Sequence, residues 1–461
     1  MKEYLTTERM DPNKRLVVER TKDFGEIYDV FNVADASTQS DRCIQCGDPF
    51  CLNKCPLHNY IPQWLKSIAE KDLEFAFKLS NEPSPFPEVM GRICPHDRLC
   101  EGDCTLNDGH GAITIGSIET HITEAGFKAG YKPDFPGITT DKKVAIIGSG
   151  PAGLSAATYL LRSGIAVTMY ESADRAGGLL TYGIPGFKLD KKIVQRRVSL
   201  LEDAGLKLVL NTTVGKDITF EELADTHDAM FIGVGATKGK SACLAGEKAT
   251  NVYAAMGYLT AIQKKNFKLS YDKKYDFKDL NVVVIGGGDT AMDCVRTAKR
   301  EGAKSVTCLY RRDEKNMPGS KKEYKNSVEE GVDFTFLASP KEIVLDDNGQ
   351  AIAVEAVKTN LGIKGDDGRQ KMEEVKGSEF RVNADVVIMS LGFDPVVPSF
   401  LAENGIETNS WGGIVINEET YETTTTGIYA GGDCFRGADL VVTAALDGRE
   451  AARSISKSLL K

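Results

Sequence analysis

Seven of the eleven cysteines lie between Cys43 and Cys104, in two groups whose spacing suits metal-bound thiolates. The first group is Cys43-x2-Cys46-x4-Cys51-x3-Cys55-Pro56, and the second is Cys94-Pro95-x4-Cys100-x3-Cys104. Short hops of this kind supply neighbouring corners of an iron–sulfur cubane, and a Cys followed by Pro at the end of such a run often ligates a second cluster. In a reducing compartment so dense a block points to a metal site rather than to a disulfide framework. A structural zinc ribbon is the alternative, but it wants two CxxC pairs, and only Cys43-x2-Cys46 qualifies. Two [4Fe–4S] clusters, at four ligands each, ask for one ligand more than the seven cysteines supply. The remaining four cysteines, Cys243, Cys294, Cys308 and Cys434, are scattered.

Two glycine-rich turns carry a second kind of chemistry. Gly148-Ser149-Gly150-Pro151-Ala152-Gly153 is a complete GxGxxG between a strand-like run and an apolar helix. Such glycines permit the tight turn and bring a pyrophosphate to the helix N-terminus, where free N–H groups and the dipole favour an anion. Glu171 follows Gly153 by 18 residues, at the end of the next strand, where its carboxylate can accept from a ribose diol. The second turn reads Gly286-x-Gly288-x-x-Ala291, with Asp289 and Thr290 inside it, and its next strand ends in Tyr310-Arg311-Arg312. A carboxylate there would repel a 2′-phosphate, whereas guanidinium groups pair with one. The first turn therefore reads as an FAD site and the second as an NADPH site; solvated surface charge is the alternative for Arg311 and Arg312. Near the C-terminus, Gly427 to Asp433 reads as a strand ending in Gly432-Asp433. An Asp so placed can bind the ribityl chain of a flavin, or simply cap a helix.

Elements must hold these residues in place. Val144 to Ile147 and Ala166 to Tyr170 read as buried strands around a helix from Gly153 to Gly164. Val282 to Ile285 and Ser305 to Tyr310 repeat the pattern around a helix from Thr290 to Glu301. Two such units predict an α/β protein with two doubly wound dinucleotide-binding domains. Ahead of them, Ile61, Leu65, Ile68, Phe75 and Leu79 recur near helical spacing and predict one core-facing helix over 61–79. Residues 1–137 read as a small helical domain pinned by its cysteines, and Lys132 to Asp141 as a linker. The polar stretch Gly362 to Gly377 predicts a hairpin loop.

Composition excludes several classes. The net charge is −9, so no basic surface exists for nucleic acid or anionic lipid. Met1 to Leu16 is polar and charged, without an apolar signal region. No apolar run reaches the roughly 18 residues that cross a bilayer, so the expectation is a cytoplasmic protein. Disulfide reductases of the two-dinucleotide fold carry paired cysteines beside the flavin. Gly177-Gly178-Leu179-Leu180-Thr181-Tyr182 has none nearby, and Cys294 stands alone.

With those residues in view, a resemblance is evident. Asp41 to Gly47, Gly91 to Pro95, Gly286 to Asp293, Tyr310-Arg311-Arg312 and Gly437 to Val442 closely resemble the small (β) subunits of bacterial NADPH-dependent glutamate synthases. Asp23 to Tyr28 extends the likeness, which covers essentially the whole chain. The resemblance implies an NADPH domain inserted within the FAD domain. The expected division is 1–137 for the helical [4Fe–4S] domain, 138–245 for the first FAD-binding segment, 246–393 for the NADPH domain and 394–461 for the second FAD-binding segment. It also implies crossed ligation: Cys43, Cys46, Cys51 and Cys104 on one cluster, and Cys55, Cys94, Cys100 and a non-cysteine residue on the other. Relatives use a Gln or Glu, which matches Glu119; an ordinary helix-surface residue is the alternative. Lys188 matches a basic position near the FAD, and Gly178, Leu179 and Val214 complete the expected FAD contacts.

The resemblance further implies that NADPH electrons reach FAD as a hydride and leave singly through the clusters, with no acid–base side chain required. Met1 is followed by Lys2, so there is no N-terminal cysteine for glutamine hydrolysis, and too little length is unassigned for a large FMN barrel. Glutamate synthesis from glutamine and 2-oxoglutarate is then expected on a separate large (α) subunit containing FMN. One rival is an electron-bifurcating NADPH–ferredoxin oxidoreductase subunit. Another is a non-catalytic electron-transfer or assembly subunit, against which the Arg311-Arg312 pair argues.

Overall fold

The computed structural model describes residues 3–364 and 370–461. Short helices dominate its N-terminal region. Val33–Asp41, Ile61–Ala69, Leu73–Asn81, Pro87–Ile93 and Ile115–Lys128 surround a core that includes Trp64, Leu65, Phe77, Ile118 and Ile122. The helix expected over 61–79 is two helices. Lys71 takes a positive φ of 65°, and Asp72 then caps a new start by accepting from Phe75 N at 3.0 Å. The break rotates the apolar face, so Phe75 points to solvent while Ala76 and Phe77 are buried.

Two parallel sheets follow. Lys143–Ile147 (β1), Ala166–Tyr170 (β2), Lys207–Val209 (β3) and Ala229–Ile232 (β4) lie in the first. The chain then leaves through Lys238–Gly239 (β5). The second sheet is built from Val252–Ala254 (β6), Asn281–Ile285 (β7), Ser305–Tyr310 (β8), Asp333–Phe336 (β9) and, later, Val386–Met389 (β13). It carries an antiparallel layer, Ala338–Leu345 (β10), Ala351–Lys364 (β11) and Gln370–Asn383 (β12). The chain returns through Phe393–Asp394 (β14), which pairs with β5, and Ile428–Ala430 (β15) rejoins the first sheet. The orders are β15-β4-β1-β2-β3 and β6-β13-β7-β8-β9, so one doubly wound unit interrupts the other. The strand pair β5–β14 forms the double crossing between them, and a boundary placed at 393/394 cuts it.

The polar run 362–377 is not a simple loop. β11 continues to Lys364 and β12 begins at Gln370, so most of the run forms ladder; residues 365–369 lie outside the described residues. Strands with one face in water need only alternate residues apolar, which is why this run reads as polar. At the C-terminal end, β15 stops at Ala430, short of the strand expected to reach Asp433. Gly432 caps the short helix Asp433–Arg436 instead.

Buried ion pairs fasten the regions together. Arg197, on the Lys191–Asp203 helix, donates to both oxygens of Glu88 on Pro87–Ile93, at 2.7 and 2.6 Å. Arg449, on the long Val441–Leu459 helix, donates to Leu57 O and Pro83 O. Arg20 reaches Glu330, which also accepts from Arg296 and Arg300. The first residues of the chain therefore pack on the second sheet's unit as well as on the helical region. No described helix is long and apolar enough to cross a membrane.

Candidate functional site

The first glycine turn is built for close backbone approach. Gly148 has φ +98°, and a Cβ on it would lie 2.5 Å from Gly233 O; one on Gly153 would lie 2.0 Å from Gly148 O. Gly150 starts the Pro151–Arg162 helix with no side-chain cap, leaving first-turn N–H groups for an anion. The turn opens into a cavity of about 860 Å³. Its walls include Gly178, Leu179, Lys188 and Val214 as well as Gly432 and Asp433. Glu171 also lines it, with its carboxylate turned onto the loop. Its Oε2 accepts from Ser149 N at 3.0 Å and Ser149 Oγ at 2.5 Å, while Oε1 accepts from Ala173 N at 2.8 Å and Ser172 Oγ at 3.2 Å. The carboxylate is therefore already satisfied by the loop and is not a bare acceptor facing the cavity. Burial pushes the Asp433 carboxyl up to about 7, so near neutral pH it can donate to a ligand hydroxyl as well as accept from one.

The second turn shares this cavity. Asp289 and Thr290 line it, and Gly288 starts the Asp289–Arg300 helix without a side-chain cap. Gly286 has φ +144°, and a Cβ on it would lie 2.1 Å from Ser390 O. Lys188 spans the two units, with its Nζ 2.9 Å from Asp293 Oδ1 and both side chains nearly buried. Burial opposes the Lys188 charge, but Asp293, Glu323 and Asp289 outweigh it and raise its pKa; burial pushes Asp293 up to about 6. Arg311 and Arg312 stand outside this cavity, at the end of β8, and neither makes an ion pair among the described residues. Arg312 Nε is buried with no partner, a donor that a phosphate oxygen would satisfy.

The thiols fall into two sets. Cys43, Cys46, Cys51 and Cys104 surround one small void, which Phe50 and Pro49 also line. Cys55, Cys94, Cys100 and Glu119 surround another. Burial pushes Cys43 up to about 11 and Cys51 to about 12, and raises Cys55, Cys94 and Cys100 as well. Thiolates in such surroundings need bound cations, and metal coordination deprotonates a thiol outright. Burial pushes Glu119 up to about 8 against the hydrogen bond from Asn59 Nδ2 at 2.7 Å. That makes it a buried acid among cysteines, not a helix-surface residue. Cys94 and Pro95 line the large cavity too, so the second set lies against it, while the first lies toward exposed Phe50.

Some supporting residues gave no signal in the sequence. Asp447, fully buried, accepts from Gly432 N at 2.9 Å and from Arg436 Nε at 2.8 Å, fixing the Gly432-Asp433 corner. Lys191 Nζ donates to Leu180 O at 2.9 Å and to Ile184 O, holding the segment that bears Gly178 and Leu179; burial lowers it to about 7. Asn59 accepts from Trp64 Nε1 at 3.3 Å and is thereby aimed at Glu119. Each works through tertiary contact, with no motif around it.

Comparison with known proteins agrees in outline. Residues 20–131 match the family described as "Dihydroprymidine dehydrogenase domain II, 4Fe-4S cluster", and residues 142–448 match "Pyridine nucleotide-disulphide oxidoreductase". The chain is 46% identical over 460 residues to the glutamate synthase [NADPH] small chain of Escherichia coli (strain K12), covering 98% of each. It is equally 46% identical over 458 residues to the putative oxidoreductase AegA of the same organism, covering 98% of this chain and 70% of AegA. Among solved structures, Mycobacterium tuberculosis FprA in complex with NADPH has a TM-score of 0.58 at 20% identity, covering 69% of this chain and 85% of that one. That likeness extends to the fold.

Proposed function

The chain belongs to the glutamate synthase small-chain family, and from that membership we propose that it takes electrons from NADPH and hands them singly to a separate large subunit that makes glutamate. One observation carries the reading: a single cavity takes in the first glycine turn and Asp289 and Thr290, which open the helix after the second, and is walled on one side by Cys94, a member of the second thiol set. When bound, FAD accepts the nicotinamide hydride as an electron pair and releases electrons one at a time, which is how [4Fe–4S] clusters carry them. Everything else asked of the chain is positioning.

Gly148, Gly150, Pro151, Ala152 and Gly153 cradle the FAD pyrophosphate, Glu171 orients its ribose, and Gly432 and Asp433 face its ribityl chain. Gly178, Leu179, Lys188 and Val214 line the same site. Gly286, Gly288, Thr290 and the backbone N–H of Asp289 receive the NADPH pyrophosphate, and Arg311 with Arg312 receives the 2′-phosphate. Cys43, Cys46, Cys51 and Cys104 hold one cluster; Cys55, Cys94, Cys100 and Glu119 hold the other. The division is into residues 1–137, 138–245, 246–393 and 394–461; the sheet orders support one unit set within the other, with the last boundary falling inside β14.

The putative oxidoreductase AegA matches 98% of this chain over 70% of its own length, which favours a second reading in which the same module serves an acceptor other than a glutamate-forming subunit. Cofactor analysis of the purified protein tests what the two readings share. About eight iron atoms per chain, four for each cubane, are expected with one FAD. Bound zinc, or iron for one cluster only, would contradict it. Identification of a co-purifying large subunit separates the two readings.

A further inference from the structure

The two glycine turns differ at a residue that matters to an anion. After Gly150 the first helix opens on Pro151 and Ala152, which carry no charge; after Gly288 the second opens on Asp289. A carboxylate in the first turn suits the helix dipole by itself. It also stands where the diphosphate of a nucleotide must arrive, and repels it.

Asp289 has a counter-charge from a distant stretch of the chain. Arg98, on the loop joining Cys94 to Cys100, sets its Nη2 3.0 Å from Asp289 Oδ2 and its Nη1 2.7 Å from Pro318 O. Ser320 N donates to the other oxygen, Oδ1, at 2.9 Å. Gly319 N donates to Gly287 O at 2.9 Å, so the Pro318-Gly319-Ser320 segment lies directly on the glycine turn. The Arg98 and Asp289 side chains are 41% and 36% exposed, and an ion pair that open contributes little to folding. A guanidinium has five N–H donors and these contacts use two, leaving others for phosphate oxygens.

We propose that Arg98 is a residue of the nucleotide site, which neutralises Asp289 and donates to the diphosphate at the start of the Asp289–Arg300 helix. The inference rests on reading the second turn as the NADPH site. It makes the loop that bears Cys94 and Cys100 one wall of that site, so the cysteine-rich region helps to receive the reductant as well as to pass electrons on.

Calorimetric binding of NADP⁺ and of 2′-AMP to the oxidised, full-length holoprotein tests it. Arg98→Ala should weaken NADP⁺ by at least about tenfold, the loss of one charge-assisted hydrogen bond. It should leave 2′-AMP unchanged, because that fragment has no diphosphate. Adding Asp289→Asn to Arg98→Ala should recover part of the loss, since the repelling carboxylate is gone; a merely structural role for Arg98 gives no such recovery. Unchanged NADP⁺ affinity overturns the proposal, and so does an equal loss of 2′-AMP. If Arg98→Ala loses its iron, Asp289→Asn alone decides: it should bind NADP⁺ at least as tightly as the parent, and a loss of about tenfold contradicts the proposal. A parent protein that binds neither probe would sink the NADPH reading itself.

Discussion

Arg311 and Arg312 directly follow β8, where a carboxylate would select against a 2′-phosphate, and the unpartnered Nε of Arg312 marks a donor still to be satisfied. A hydrogen bond to a charged group contributes about 1.5–3 kcal/mol. Replacing both arginines with Ala should therefore lower NADPH efficiency by roughly 10- to 150-fold per lost bond and barely alter NADH use. Steady-state kinetics with both nucleotides checks this, and an equal fall for both would remove the pair from the site. Glu119 is the other residue whose role turns on its surroundings. Glu119→Ala should reduce the iron content and perturb one cluster's electron paramagnetic resonance signal while FAD stays bound; Glu119→Cys should retain iron. An Ala variant with full iron would show that the second set is completed elsewhere. The cysteines and glycines at this scale were legible because their chemistry demands fixed spacings. Asn59, Lys191 and Asp447 were not, because each acts through contacts the fold makes rather than through its neighbours in sequence.

Among elements, the helix Lys321–Glu329 and the residue after it, Glu330, show how the regions are held. Glu330 is buried and accepts from Arg20, Arg296 and Arg300. Burial alone would raise its pKa, but the arginine hydrogen bonds and charges bring it down to about 2. A carboxyl depressed in this way stabilises the fold above its unfolded value of about 4.3, and the stabilisation fades as pH falls toward 2. Glu330→Gln should cost about 3–5 kcal/mol near neutrality, the usual effect of removing one partner from a buried pair. The difference should shrink below about pH 4.3, as denaturant unfolding at several pH values will show. A gap that stayed constant with pH would mean that the carboxylate charge is not what matters. The sequence pattern found the strands and helices around both turns because buried parallel strands are continuous apolar runs. It joined two helices into one over 61–79, because Lys71 and Asp72 break the chain without breaking the apolar spacing.

On the scale of the molecule, the sheet orders record an insertion that spacing alone did not reveal and that entered through family resemblance. β15 pairs with β4 across nearly two hundred residues, among which the other unit lies whole. Nor did the sequence disclose how firmly the cysteine-rich region is attached. Arg197 grips Glu88, and Arg449 grips Leu57 and Pro83. Deleting residues 1–137 would strand these buried guanidinium groups, so the intact purified chain is the proper subject for a functional test. The proposed route has electrons entering at the shared cavity and leaving through the thiol sets to a partner that makes glutamate. It is tested by mixing the purified chain with a purified large subunit, NADPH, glutamine and 2-oxoglutarate, and measuring glutamate formed against NADPH consumed. The chain alone should oxidise NADPH with ferricyanide but form no glutamate, and adding the large subunit should couple NADPH loss to glutamate gain. Glutamate formed by the chain alone, or NADPH consumed without glutamate when the large subunit is present, would contradict that route.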